Sequence, residues 1–329
     1  MLRGFVLLLS CLFGVETALA ADRSEFRRPD TIPFPSEAPY SLLTATLGKM
    51  LYFDPRLSGA QNMSCASCHN PSFGWETPVA GAVGAQNTRL GRHAPTILNM
   101  AWVEPYFWDG RAATLEEQAA GPITAAVEMN AKLSDVVERL RGIAVYREGF
   151  ERAFPGIGMT EETLLRAIAT YERTVVAGWA PFDRWVEGDE SAISDAAKRG
   201  FALFAGKARC ADCHSGWNMT DNLFHDIGLE TDDIGRAAIE PNDPLARHAF
   251  KTPGLRNITN RSPYTHNGET YDLREIIEHY VSGGIQRPSL SPLMRPLDLG
   301  DDEIGDLVAF LVTLTAEESD VPTPTLPTN

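Results

Sequence analysis

Two short runs carry most of the chemistry: Cys65-Ala66-Ser67-Cys68-His69 and Cys210-Ala211-Asp212-Cys213-His214. Two cysteines three positions apart can bond through their sulfurs to the two vinyl groups of one haem. The histidine that follows then falls on the iron and supplies an axial nitrogen. A lone Cys-x-x-Cys also suits half a zinc site or a redox dithiol, and four cysteines with two histidines could share one zinc. Zinc does not need a histidine directly after each pair, and the βαβ pattern that would frame a thioredoxin-like dithiol is absent. The expectation is two covalently bound haem c groups, attached through Cys65, Cys68, Cys210 and Cys213, with His69 and His214 as axial ligands.

Helical runs frame each motif. Leu42 to Tyr52 and Ser194 to Lys207 precede the two motifs, and Glu161 to Val175 and Asp301 to Leu314 place apolar residues on one face. Helix, haem motif, helix is the layout of a small cytochrome c domain, and it occurs twice. The predicted fold is mainly α, with two cytochrome c-like haem domains related by internal duplication. The expected boundaries are a signal peptide over 1–20, an N-terminal arm over 21–40, a haem domain over 41–178, a connection over 179–190, a second haem domain over 191–318 and a tail over 319–329.

The duplication is legible residue by residue. Ala94-Pro95-Thr96-Ile97-Leu98-Asn99 parallels Thr252-Pro253-Gly254-Leu255-Arg256-Asn257, and Pro105-Tyr106-Phe107-Trp108-Asp109-Gly110 parallels Pro263-Tyr264-Thr265-His266-Asn267-Gly268, all at an offset of 158. In the second copy a helix from Leu273 ends in His279-Tyr280, well placed for a second haem ligand; spacing does not choose between the two. The position 158 before Tyr280 is Pro122, which has no side-chain donor. One iron would be capped on both faces and pass electrons, while the other would be open to peroxide. Gln118 and Glu128 lie around Pro122 and could move protons there, although Gln118 also reads as a solvated helix residue and Glu128 as a helix-end carboxylate. Trp108 could relay charge between the haems or be plain core. Further ligand candidates for the second haem are His225, His248, His266, His279, Met219 and Met294.

Composition narrows the setting. Arg3, an apolar run from Phe5 to Phe13 and Ala18-Leu19-Ala20 read as a cleaved secretory signal, too short to span a bilayer. Cys11 leaves with it, so no structural disulfide is expected, and the implied compartment is the bacterial periplasm. A net charge of −15 argues against nucleic acid and anionic membranes, and suits a basic electron-transfer partner.

The chain resembles the bacterial dihaem cytochrome c peroxidase/MauG family over nearly the whole mature length. The resemblance rests on Phe53-Asp54-Pro55-Arg56-Leu57-Ser58, both haem motifs, Ala94-Pro95-Thr96, Phe107-Trp108-Asp109-Gly110-Arg111, Gly121-Pro122-Ile123, Val127-Glu128-Met129-Asn130 and Phe250-Lys251-Thr252-Pro253. It implies that the N-terminal haem, on His69, reacts with hydrogen peroxide, and that His214 serves the electron-transfer haem. It also implies that Trp108 stands between the haems, with Gln118, Pro122 and Glu128 in the distal pocket. Tyr280 matches the position where ordinary peroxidases have methionine and MauG has tyrosine. The loop 81–86 lacks the distal histidine of many peroxidases. Both departures point toward MauG. The resemblance further implies a calcium ion held by the backbone carbonyls of Arg261 and Pro263, with His93 where the family has asparagine. The implied partners are a methylamine dehydrogenase precursor or, for an ordinary peroxidase, a cupredoxin or small cytochrome c. The surface tryptophan that MauG uses toward its partner matches Ala208 here, with Trp217 as a nearby substitute.

Overall fold

A computed structural model describes residues 23–317 and 321–328; the expected signal segment lies outside the described residues. The helices in chain order are α1 (Leu42–Tyr52), α2 (Cys65–Cys68), α3 (Leu115–Thr124), α4 (Leu133–Arg141), α5 (Ala144–Ala153), α6 (Glu161–Thr174), α7 (Pro181–Val186), α8 (Asp195–Ala205), α9 (Leu273–Ser282) and α10 (Asp301–Val312). The strands β1 (Phe224–His225) and β2 (Phe250–Lys251) form one antiparallel pair, with Phe224 opposite Lys251. The chain is therefore mainly helical.

Each half is built on one helix crossing. The helix before the haem motif packs on the helix that closes the half: α1 on α6, and α8 on α10. Ser41, Thr160 and Ser194 cap α1, α6 and α8 by accepting from the backbone N–H of Thr44, Thr163 and Ala197. A glycine sits at each crossing. A Cβ on Gly48 would lie 1.8 Å from the Ala167 carbonyl oxygen, and one on Gly200 would lie 1.9 Å from that of Asp306. The backbones touch only because no side chain separates them. The first core joins Leu47 and Leu51 to Leu140, Tyr146, Phe150, Leu164 and Ile168; the second joins Phe182, Phe201, Phe204, Leu307 and Phe310.

The duplication extends to the backbone. Helices α3 and α9 have bounds 158 apart, as do the left-handed residues Asn99 (φ 62°) and Asn257 (φ 58°). The Tyr106 hydroxyl donates to the Met100 carbonyl at 3.3 Å, and the Tyr264 hydroxyl donates to the Ile258 carbonyl at 3.2 Å, again the same offset.

Three segments do more than the sequence suggests. The polar arm inserts Phe26, fully buried, edge-on against Phe201 at 5.4 Å between ring centroids. The stretch 179–190, expected as a connection, carries α7, whose Phe182 and Trp185 join the second core. The tail returns to the first half, where Val321 packs near Tyr52 and the Pro327 carbonyl accepts from Arg56 at 3.0 Å.

Candidate haem sites and the groups between them

The first cavity, about 730 Å³, is lined by Cys65, Cys68 and His69 on one side and by Gln118, Pro122 and Glu128 on another. The His69 Nδ1 lies 2.8 Å from the Pro95 carbonyl oxygen. A carbonyl only accepts, so Nδ1 carries the proton and the Nε2 lone pair is left for a metal. Burial also pushes the imidazole pKa down, which favours the neutral, ligating form. The sequence places the first of the repeated prolines two residues before Ile97, so its carbonyl is carried at the haem face by the Ala94-Pro95-Thr96 run.

Helix α3 brings Gln118 and Pro122 to the same cavity four residues apart, one helical turn. Pro122 lacks an N–H to close the turn, and its carbonyl accepts from Met129 N–H at 3.0 Å. That bond and the one from Ala85 N–H to the Glu128 carbonyl, 2.7 Å, fold the 125–130 turn back over the cavity. The Glu128 carboxyl is half-buried, and burial raises its pKa against a smaller opposing pull from Arg111. Arg111 itself lies 3.5 Å above the Phe107 ring.

The second cavity, about 210 Å³, is lined by Cys210, Cys213, His214 and Tyr280. His214 repeats the His69 arrangement: its Nδ1 is 3.0 Å from the Met219 carbonyl oxygen, and burial lowers its pKa. Helix α9 turns Tyr280 toward this cavity. Its neighbour His279 points elsewhere, with Nε2 2.8 Å from the Ile227 carbonyl oxygen. Burial holds the Tyr280 phenol well above its ordinary pKa, so a phenolate there needs a cation to stabilise it. Of the other candidates, His225, His266 and Met294 line the cavity and Met219, His248 and His279 do not. His225 is spoken for, with Nε2 2.8 Å from Asp221 and Nδ1 3.2 Å from the Ser291 hydroxyl, and the Asp221 carboxylate helps hold its pKa up at about 10. His266 stacks on Phe250 at 3.6 Å.

The two Cys-x-x-Cys-His motifs line different cavities, so no shared four-sulfur zinc site forms. Among the described residues, the one cluster with metal-ligand spacing is Cys213, Asp221 and His225. Its sulfur belongs to the second haem motif and its other two members already pair with each other. None of the four motif cysteines is engaged in a disulfide. Two anchored imidazoles, each beside a cysteine pair in its own apolar cleft, fit one haem c apiece.

Trp108 lines both cavities and is 9% exposed. Its Nε1–H donates to the His93 carbonyl at 2.9 Å, and its own carbonyl accepts from Lys251 N–H at 2.9 Å. Lys251 also lines both cavities. It is buried, its ammonium donates to the Pro105 carbonyl, and burial pushes its pKa down to about 7.

Next to this junction lies a buried ion cluster that the sequence reading did not contain. Glu76 accepts from Arg261 Nη2 at 2.9 Å, from His93 Nε2 at 3.1 Å and from Thr96 N–H at 2.9 Å. Here the expected calcium, at the carbonyls of Arg261 and Pro263, meets a poor donor set. Calcium takes six to eight oxygens. The nearby carboxylate is already neutralised by a guanidinium, and His93 offers only nitrogens, both hydrogen-bonded. These side chains do not fit calcium.

Trp217 is corrected as a surface relay: it is 6% exposed, 4.8 Å from Trp102, and lies under both Arg28 (5.1 Å) and Arg256 (5.5 Å). Two guanidiniums disfavour a positive hole on this ring. Ala208 is buried as well.

Comparison with known proteins agrees with this geometry. A family described as di-haem cytochrome c peroxidase matches residues 43–191, and one described as cytochrome c matches 197–315. Methylamine utilization protein MauG of Methylorubrum extorquens is 49% identical over 94% of this chain and 88% of its own. Its namesake in Methylophilus methylotrophus is 46% identical over 99% of both. Cytochrome c551 peroxidase of Nitrosomonas europaea is 37% identical over 90% of this chain and 86% of its own. A crystal structure of a MauG-like protein associated with microbial copper homeostasis superposes with a TM-score of 0.81 at 29% identity, covering 88% of this chain and 95% of that one. With two haem c clefts, one holding a tyrosine where the other holds a proline, and with relatives matched over nearly its full length, the chain belongs to the dihaem cytochrome c peroxidase/MauG family of haem-dependent oxidoreductases.

Proposed function

We propose that this protein is a periplasmic enzyme of MauG type, which takes two electrons from its haem pair with hydrogen peroxide and recovers them from a partner protein. The observation that carries the reading is the pairing of Tyr280 in the second cavity with Pro122 at the matching place in the first. His214 and Tyr280 would hold one haem iron, and His69 alone would hold the other. The haems supply redox equivalents and an open coordination position.

The chain's own residues handle protons and position. Glu128 takes the first proton from peroxide and returns it to the departing oxygen, with Gln118 as the neighbouring polar group. Two protons and two electrons convert each peroxide to two waters. Trp108, touching both cavities, shares the electron deficit between them. The periplasmic reading is supported by the leader-like sequence up to Ala20 and by the two haem-attachment motifs. Among the described residues no helix is long and apolar enough to cross a membrane. The partner reading, a methylamine dehydrogenase precursor whose tryptophans become a quinone cofactor, is supported by the two relatives named for methylamine utilization.

A second reading, peroxide reduction with electrons from a small cytochrome c or cupredoxin, is supported by relatives named cytochrome c551 peroxidase. The experiment that separates the two adds peroxide to the all-ferric protein together with the precursor. Quinone absorbance growing in without any prior reduction supports the first. An inert precursor, with fast oxidation of a reduced small cytochrome only after one-electron reduction of the enzyme, would establish the second.

A further inference from the structure

A carboxyl group that the reading above does not use lines the first cavity. Glu172 stands on α6 four residues after Ile168, on the helix face that points into the core, where a hydrophobic residue is expected. It is 4% exposed. Its Oε2 has no hydrogen-bond partner, and it shares the cavity wall with Cys65, Met100 and Tyr106.

The adjacent cation does not neutralise it. Arg173 commits both terminal nitrogens to Glu116 on α3, at 2.8 and 3.0 Å. The other ionisable groups facing Glu172 are Tyr52 on α1, Cys65 on α2, Tyr106 before α3 and Tyr171 on its own helix. All are acids, and Cys65 becomes a thioether once haem is attached. A buried carboxylate without a paired cation or hydrogen bonds is costly, so the neutral acid is favoured. Burial, with a smaller push from Glu116, raises the group to about 8 against the opposing pull of Arg173.

The positive charge of a ferric haem in the same cavity would draw this acid toward its ionised form, and reduction of that haem would remove the pull. We propose that Glu172 is the proton-exchanging group of the N-terminal haem, taking a proton from solvent when that haem gains an electron and releasing it when the electron leaves. The electron comes from the reductant and goes to the oxidant; the proton comes from and returns to water, so the net charge of the buried site is unchanged across the step. The inference needs haem in the first cavity but not the identity of the partner protein.

The test is a mediated redox titration of the holo-protein at a series of pH values, following the spectrum of the N-terminal haem. In the native protein its midpoint potential falls as pH rises, by up to 59 mV per pH unit for one proton per electron. In Glu172→Gln that slope is lost or lessened. A native potential independent of pH, or an unchanged slope in Glu172→Gln, overturns the proposal. If Glu172→Gln fails to take up haem, Glu116→Gln serves instead. Removing that negative neighbour and freeing Arg173 lowers the carboxyl's proton affinity, so the sloping region moves to lower pH; an unmoved region overturns the proposal equally.

Discussion

Replacing Tyr280 by phenylalanine is expected to remove the proposed second ligand of the C-terminal haem and to abolish the long-lived oxidised state that the native protein should form with peroxide. The substitution deletes one oxygen from a side chain whose ring stays packed along α9, so the fold and both haem attachments persist. No neighbouring histidine is free to take over, and Met294, which also lines the cavity, could supply a sulfur but not a phenolate. His279 is bound to the Ile227 carbonyl, His225 is held between Asp221 and Ser291, and His266 is stacked on Phe250. Because burial raises the phenol's pKa, a phenolate here would need ferric iron to stabilise it, and as a ligand it would favour the oxidised form in return. Stopped-flow spectra after peroxide addition check this. A persistent spectral change in Tyr280→Phe equal to the native one would show that Tyr280 is not the ligand.

The second large effect is at Glu128. Glu128→Gln keeps the shape and removes the proton acceptor, so the bimolecular rate with peroxide falls by about 10²–10⁴-fold, the usual worth of a positioned general base. The pH dependence has a definite sign. Burial raises the Glu128 pKa, and a base must be ionised to act. The native rate therefore rises with pH through a value above the ordinary carboxylate range, and the Gln variant shows no such rise. A native-like rate in Glu128→Gln would remove this carboxyl from the mechanism.

What the sequence made legible follows from what repeats and what is local. The haem motifs are contiguous, and the offset of 158 survives in α3 and α9 to the residue because each copy must meet a haem with the same helix. The unequal pair Pro122 and Tyr280 was readable only by laying one copy on the other. Helices α4 and α5 have no counterpart in the sequence reading. They stand outside the duplicated frame, although Val136, Val137 and Leu140 carry ordinary helical spacing. Phe26 lay hidden in a polar arm because a single anchor has no period. Long-range charge pairing was equally invisible: Glu76 and Arg261 are 185 positions apart, and nothing near either announces the other. Glu172 did leave a trace, as an acid on the buried face of α6.

In the proposed arrangement the two irons differ: His214 and Tyr280 would close one, and His69 alone would leave the other open. Low-temperature electron paramagnetic resonance of the all-ferric protein tests it directly. One high-spin and one low-spin ferric haem in equal amounts are expected. Two low-spin haems, unaltered by peroxide, would contradict that arrangement and leave a simple electron carrier.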